Sequence, residues 1–315
     1  MTKTTAIYHK SDFDGIFCRE IARKFIPDAT LIGWEYGEPT PDVSDCGQLY
    51  ILDLSVPDLM GDPRLIWIDH HKSAIETHRP TIPGYRIDGV AACRLAYQWF
   101  ATLKMTPNPE EIGLPSKEDF VERRVVEPYA VRLAGEYDIW DRRDPDAELF
   151  QHGLRSRDLS NDWRLLLMID SKASIDEIAA LIDVGHTNLL RPDGTNPNPA
   201  VLGLLEAGKG IQYARTHDNE SIIKELGFTL KWEGLTFLAC NAARYNSLLF
   251  TSGLKPEHDA CFGFKWTGTK WSVSLYHAPG KEHHDLSVIA VKYGGGGHRG
   301  ACGFTTYKLP FLPGS

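Results

Sequence analysis

Three short polar segments of this sequence hold the residues best suited to chemistry. They are His9-Lys10-Ser11-Asp12-Phe13-Asp14-Gly15, Asp53, and Asp69-His70-His71. Histidine nitrogen and aspartate oxygen are good ligands for Mn²⁺, and for Zn²⁺ or Fe²⁺ as well. Each segment also has a plainer reading. Asp12 and Asp14 could cap a helix, Asp53 could open an ordinary turn, and a lone histidine is commonly a hydrogen-bonded structural residue. Those readings do not explain why polar groups of one chemical kind close three successive apolar runs.

The elements that must position these groups alternate in type. Thr5–His9, Leu49–Leu54 and Leu65–Ile68 read as short buried strands, and the segment with Ile16, Phe17, Ile21 and Phe25 has helical spacing. Val90–Leu103 and Asp119–Val126 also read as helices. Pro128 fits the first turn of another, running from Tyr129 to Tyr137. Alternating strands and helices predict an α/β fold with a mainly parallel sheet covered on both faces. In such a sheet ligands bind beyond the carboxyl ends of the strands, where His9, Asp53 and Asp69-His70-His71 all fall.

Around residues 186–199 the chain turns rich in Asn, Pro and Gly, as in Arg191-Pro192-Asp193-Gly194, the composition of a linker. A helix is expected over Ala200–Leu226. Strands follow at Phe228–Trp232, Thr236–Ala239, Ala260–Trp266 and Trp271–Tyr276, then a helix near Leu286–Tyr293. The expected organisation is an N-terminal domain over 1–185, a linker and connecting helix over 186–225, and a smaller α/β domain over 226–315.

Length and composition agree with two soluble domains: 315 residues, 42% hydrophobic and 24% charged. Met1–Ile7 lacks a signal-peptide pattern, and no run reaches membrane-spanning length, so a cytoplasmic setting is expected. Six scattered cysteines include no Cys-x-x-Cys pair, which suits neither a thiolate zinc site nor a disulfide framework. The formal net charge of −8 argues against gripping long duplex nucleic acid, which needs a basic face. It leaves room for a small phosphate ligand, because bound cations reverse the local charge.

His9-x-x-Asp12-x-Asp14-Gly15, Asp53 and Asp69-His70-His71 resemble the first three motifs of the DHH phosphoesterase superfamily. Asp138, in Gly135-Glu136-Tyr137-Asp138-Ile139-Trp140, resembles the fourth, with Asp141 as a rival. Tyr293-Gly294-Gly295-Gly296-Gly297-His298-Arg299-Gly300-Ala301 resembles the glycine-rich signature of the associated DHHA1 domain.

The resemblance implies two divalent metal ions, Mn²⁺ first, with Mg²⁺ or Co²⁺ as alternatives. His9 and Asp12 would hold one, Asp14, His70 and Asp138 the other, and Asp53 would bridge them. Asp69 would orient a histidine ligand, and His71 would face substrate and assist the leaving oxygen. Two cations about 3.5–4 Å apart can activate a bridging water for in-line attack on phosphorus. Gly295, Gly296 and Gly297 would let backbone N–H groups approach a phosphate, with His298, Arg299 and Arg244 as further donors.

The function this implies is hydrolysis of short single-stranded oligonucleotides or small nucleotide phosphates held between the domains, with a homodimer as an option. Cyclic dinucleotide, pyrophosphate and polyphosphate hydrolysis are the neighbouring activities. A degenerate nucleotide-binding module is the non-enzymatic one. Gln151-His152-Gly153-Leu154-Arg155 is a further candidate for the cleft, and Asp285 of His283-His284-Asp285 is expected to cap a helix.

Overall fold

The computed structural model describes residues 3–78, 81–106, 113–159, 162–168 and 199–312. The three apolar runs form neighbouring strands of one sheet. It contains β1 (Lys3–His9), β2 (Thr30–Trp34), β3 (Cys46–Leu52), β4 (Leu65–Asp69) and β5 (Gly84–Arg86). Their order is β2-β1-β3-β4-β5, and every pair is parallel. Chain direction reverses its march across the sheet at β1, which places the crevice of such a sheet beyond the ends of β1 and β3.

Helices cover this sheet as its buried apolar strands require. They are α1 (Phe13–Phe25), α2 (Lys72–Thr77), α3 (Ala92–Leu103), α4 (Lys117–Val121), α5 (Tyr129–Asp138), α6 (Asp146–Leu154) and α7 (Trp163–Leu166). On one side, α1 buries Phe17 against Phe150 and Trp163, with ring centroids 6.3 and 5.0 Å away. On the other, Ile7, Ile51 and Trp67 pack with Trp34, Val43 and Leu54.

The helix expected over Asp119–Val126 is instead Lys117–Val121. Ser116 and Asp119 form a capping box at its start. Its end is set by Arg123, at φ 55°, with Arg124 N–H donating to the Asp119 carbonyl. That strained turn is held by Arg123, whose Nε and Nη2 bind the buried Glu136 carboxylate at 2.9 and 2.8 Å. Pro128 stands just before α5 as its N-cap.

A long helix, α8 (Pro199–Leu226), precedes the second sheet. That sheet has β6 (Gly227–Trp232), β7 (Leu235–Asn241), β8 (Ala260–Trp266), β9 (Trp271–His277), β10 (Gly296–His298) and β11 (Ala301–Thr306), in the order β10-β11-β9-β8-β7-β6. Of its neighbouring strands only β7 and β8 pair in parallel. Trp232 anchors its core, 5.6, 5.7 and 5.2 Å from the rings of Phe237, Phe262 and Phe311. The helix α9 (Leu286–Lys292) packs Leu286, Ile289 and Ala290 into the same cluster.

The chain divides into two compact units, Met1–Ile211 and Gln212–Ser315. Residues 186–198 of the expected linker lie outside the described residues. The six cysteines are all free and buried. Among the described residues no helix is long and apolar enough to cross a membrane.

Candidate metal centre

The ends of β1, β3 and β4 bring His9, Asp53 and His70 together, and α1 and α5 add Asp12, Asp14 and Asp138. Three donor sets result: His9, Asp12 and Asp53; Asp14, His70 and Asp138; and Asp53, His70 and His71. Within each set one donor atom per residue lies within 4.8 Å of the others. Asp53 belongs to two of them and His70 to two.

Asp12 is the N-cap of α1, its Oδ1 accepting from Gly15 N–H at 2.9 Å. Its other oxygen lies 2.8 Å from His9 Nδ1. The cap reading of Asp12 holds, and its second oxygen is left facing His9. Asp14 acts at a distance. The N-cap of α3 is Ala91, which has no capping side chain. The buried Asp14 carboxylate takes its place, accepting from Ala92 N–H and Cys93 N–H at 2.8 Å each. A carboxylate at a helix N-terminus satisfies orphan donors and meets the positive end of the helix dipole.

Asp53 sits just beyond β3 at φ 63° and is 1% exposed. Left-handed backbone at a non-glycine residue costs about 1–3 kcal/mol, and aspartate tolerates it better than most. Its Oδ1 is 3.4 Å from His70 Nε2 and its Oδ2 3.6 Å from His9 Nδ1, yet neither oxygen has a hydrogen-bond partner. His9 Nδ1 is likewise buried without a properly oriented hydrogen bond, its closeness to Asp12 notwithstanding. Buried unpaired carboxylate oxygens are costly unless something positive meets them. A divalent cation does so, and this oxygen-rich set with two imidazoles matches ions such as Mn²⁺.

Ionisation is perturbed accordingly. The close Asp12 carboxylate, then that of Asp53, pushes His9 up to about 11. Burial works to lower His70, but Asp53, Asp14 and Asp138 carry it up to about 10. Burial, with Asp53 beside it, raises Asp14 to about 7; burial, with Asp14 beside it, raises Asp138 to about 7. The cluster thus gathers protons where positive charge is wanted, and a cation would displace them.

His70 Nε2 lies 3.5 Å from Asp14 Oδ2 and 3.3 Å from Asp138 Oδ2. Asp138 is the last residue of α5. Asp141 lies outside all three donor sets and is clamped by Arg143, whose Nε and Nη2 reach it at 2.9 and 2.6 Å. The fully buried Asp69 accepts from the backbone N–H of His70 and His71 at 2.7 and 3.1 Å. The ring it orients is that of His71, through Nδ1 at 2.7 Å, rather than that of His70. This pairing with Asp69 raises the His71 pKa, and the His71 side chain is 46% exposed.

The glycine run has two jobs. Gly294, at φ 78°, and Gly295 end α9 by donating to the Val291 and Ala290 carbonyls at 2.9 and 2.8 Å, a Schellman stop. Gly296, Gly297 and His298 form β10, an exposed edge strand paired with β11. Arg299 turns back, its Nη2 donating to the His283 carbonyl at 2.6 Å. Arg244 is exposed in the segment after β7. Gln151 and His152, offered as candidates for the cleft, are buried in α6. Asp285 caps α9 through Ser287 N–H at 3.1 Å.

Sequence reasoning missed Glu35 and Tyr36, which follow β2 and lie against His9. The short Thr-Leu-Ile-Gly-Trp run before them was the available signal.

No protein-family model matches the chain, and neither does any curated protein sequence. Solved structures do. The DHH domain of a protein from a ribosomal-protein family matches with TM-score 0.50 at 14% identity, over 97% of this chain and 82% of that one. A pGpG-specific phosphodiesterase from Vibrio cholerae has TM-score 0.49 at 16% identity, covering 97% and 93%. Exonuclease RecJ bound to manganese has TM-score 0.45 at 13% identity, covering 97% and 86%. The chain therefore shares the fold of the DHH domain matched at TM-score 0.50, with its own His/Asp clusters at the strand ends.

Proposed function

We propose that this protein is a two-metal phosphoesterase acting on short single-stranded oligonucleotides or small nucleotide phosphates. The observation that carries this reading is Asp53, a buried carboxylate with both oxygens unpaired, one facing His9 and the other His70. His9, Asp12 and Asp53 would hold one cation, Asp14, His70 and Asp138 the second. Divalent cations at such a pair of sites neutralise phosphate charge and lower the pKa of water.

The protein's own groups supply the rest. Asp69 fixes the His71 ring through Nδ1, so Nε2 is the nitrogen free to contact phosphate or hand a proton to the leaving oxygen. The Gly295 N–H is taken by the Ala290 carbonyl, so the backbone of Gly296 and Gly297, together with His298, Arg299 and Arg244, is assigned to substrate phosphate or sugar. The net charge of −8 favours a ligand of few phosphates over a long duplex.

The test is turnover of dinucleotides, short RNA and DNA oligomers, 3′-phosphoadenosine 5′-phosphate, cyclic dinucleotides and pyrophosphate, with Mn²⁺, Mg²⁺ or chelator. Metal-dependent release of nucleoside monophosphate or phosphate is expected. No turnover of any of them by metal-loaded protein refutes the enzyme reading. Turnover confined to pyrophosphate or to cyclic dinucleotides refutes the substrate class.

A further inference from the structure

We propose that Glu35 is a positioning residue for the metal centre: it accepts the Nε2–H of His9 and so presents the unprotonated Nδ1 to a cation. The assignment rests on the two-cation reading above.

Parallel pairing sets Trp34 of β2 beside His9 of β1. The residue after Trp34 therefore falls next to the histidine. Glu35 Oε2 lies 3.2 Å from His9 Nε2, and the same oxygen accepts from the Ser11 hydroxyl. Oε1 accepts from Tyr36 N–H at 3.0 Å, and Glu35 N–H donates to Glu38 Oε2 at 3.1 Å. Glu38 is in turn paired with Lys10. A carboxylate only accepts, so the nitrogen facing it must carry the hydrogen. The opposite nitrogen, Nδ1, is aimed at Asp12 and Asp53; a cation bound between these groups would displace any proton on Nδ1, while the Nε2–H keeps donating to Glu35. Carboxylate–histidine–metal chains of this kind fix both tautomer and ring orientation.

The same corner reaches the second strand end. The Tyr36 ring stands edge-on to His9 with centroids 6.5 Å apart, and its hydroxyl accepts from Ser55 N–H at 3.1 Å, two residues beyond Asp53. Glu35 itself lies outside all three donor sets. It acts on the metal through His9. Its side chain is one-third exposed, so as a plain ion pair it would add little stability.

The test is calorimetric titration of metal-free protein with Mn²⁺, for wild type, Glu35→Ala, Glu35→Gln, His9→Ala and the Glu35→Ala/His9→Ala pair. Glu35→Ala should weaken one of two bound ions roughly 10–100-fold, the usual loss for an outer carboxylate partner, with melting temperature nearly unchanged. Glu35→Gln should restore much of that loss, because its amide oxygen can still accept from Nε2–H. In the His9→Ala background the Glu35 substitution should add nothing. Wild type binding two ions while Glu35→Ala binds both equally tightly overturns the positioning role alone. Additive losses in the double variant do the same. Wild type that binds no ion overturns the role together with the two-cation reading.

Discussion

His70 Nε2 lies 3.4 Å from Asp53 Oδ1 with neither group completed by a hydrogen bond between them. The distance is too long for a strong ion pair yet suits two ligands of one ion. The backbone reinforces the arrangement. Asp53 N–H donates to the Ile68 carbonyl at 2.9 Å, tying the turn after β3 to β4 just before Asp69 and His70. The left-handed conformation at Asp53 then turns its carboxylate into the crevice. Strained non-glycine backbone of this kind clusters at ligand-binding and catalytic positions, which makes Asp53 a candidate for one.

Asp53→Asn should separate metal binding from folding. Asparagine tolerates positive φ and keeps the shape, so the backbone at 53 should survive. The variant loses the charge that faces both histidines. Turnover should fall by at least about 10³, the equivalent of several kcal/mol of lost electrostatic stabilisation. Metal-free protein should melt at the same temperature or higher, because an unpaired buried carboxylate has gone. Steady-state kinetics and thermal melts with chelator check both halves; near-wild-type turnover would remove Asp53 from the site.

Metal-free protein should lose stability as pH rises. Asp14 and Asp138 are raised from 3.8 to about 7, so their protonated forms favour the folded state. That contribution is complete below pH 3.8 and is lost as pH climbs through 7. His9 and His70 act in the same direction, theirs being complete below 6.5 and lost toward about 11 and 10 respectively. A cation needs the same atoms unprotonated. The gap between melting temperatures with Mn²⁺ and with chelator should therefore widen from about pH 6 to about pH 8.5. A gap that narrows over that range contradicts proton displacement.

Much of the site was legible because strand ends are marked in sequence. An apolar run that stops at a histidine or aspartate locates both the strand and the polar group at its end, as at His9, Asp53 and Asp69. The DHH resemblance rested on those residues, and the fold agrees with it. What was not legible depends on pairing across the chain. Asp14 caps α3 from 78 and 79 residues away, which no local pattern announces. Glu35 matters only because β2 lies beside β1, and the five-residue β2 has no clear alternation. The glycine run looked like one unit, but a helix stop consumes its first two residues and an edge strand the rest.

The buried pair Arg94–Glu127 should be essential as a pair and dispensable as charge. Arg94 Nε reaches the two Glu127 oxygens at 3.0 and 3.1 Å, and both side chains are 3% exposed. The pair fixes α3, whose first turn holds Asp14. Arg94→Met leaves a buried carboxylate without a partner and should cost about 3–5 kcal/mol. Adding Glu127→Leu should recover most of that loss, since apolar replacement of a whole buried pair is often neutral. Urea denaturation of the two variants decides it; equal instability of single and double variants would count against the pairing account.

Alanine scanning of the glycine run should separate packing from ligand contact. A Cβ at Gly297 would meet Cys302 Cα at 2.7 Å on a backbone with φ 128°, and one at Gly295 would meet the Gly303 carbonyl oxygen at 2.1 Å. Both substitutions should therefore destabilise the hairpin whatever the strand binds. At Gly296 a Cβ has nothing within 4 Å and the backbone has no positive φ. Gly296→Ala should leave the melting temperature within about 1 °C, as a tolerated surface substitution does. If backbone here approaches substrate phosphate, the methyl group must raise KM while leaving metal stoichiometry at two. Unchanged KM with unchanged stability would place the phosphate contact away from β10 and leave His298, Arg299 and Arg244 as the donors to test.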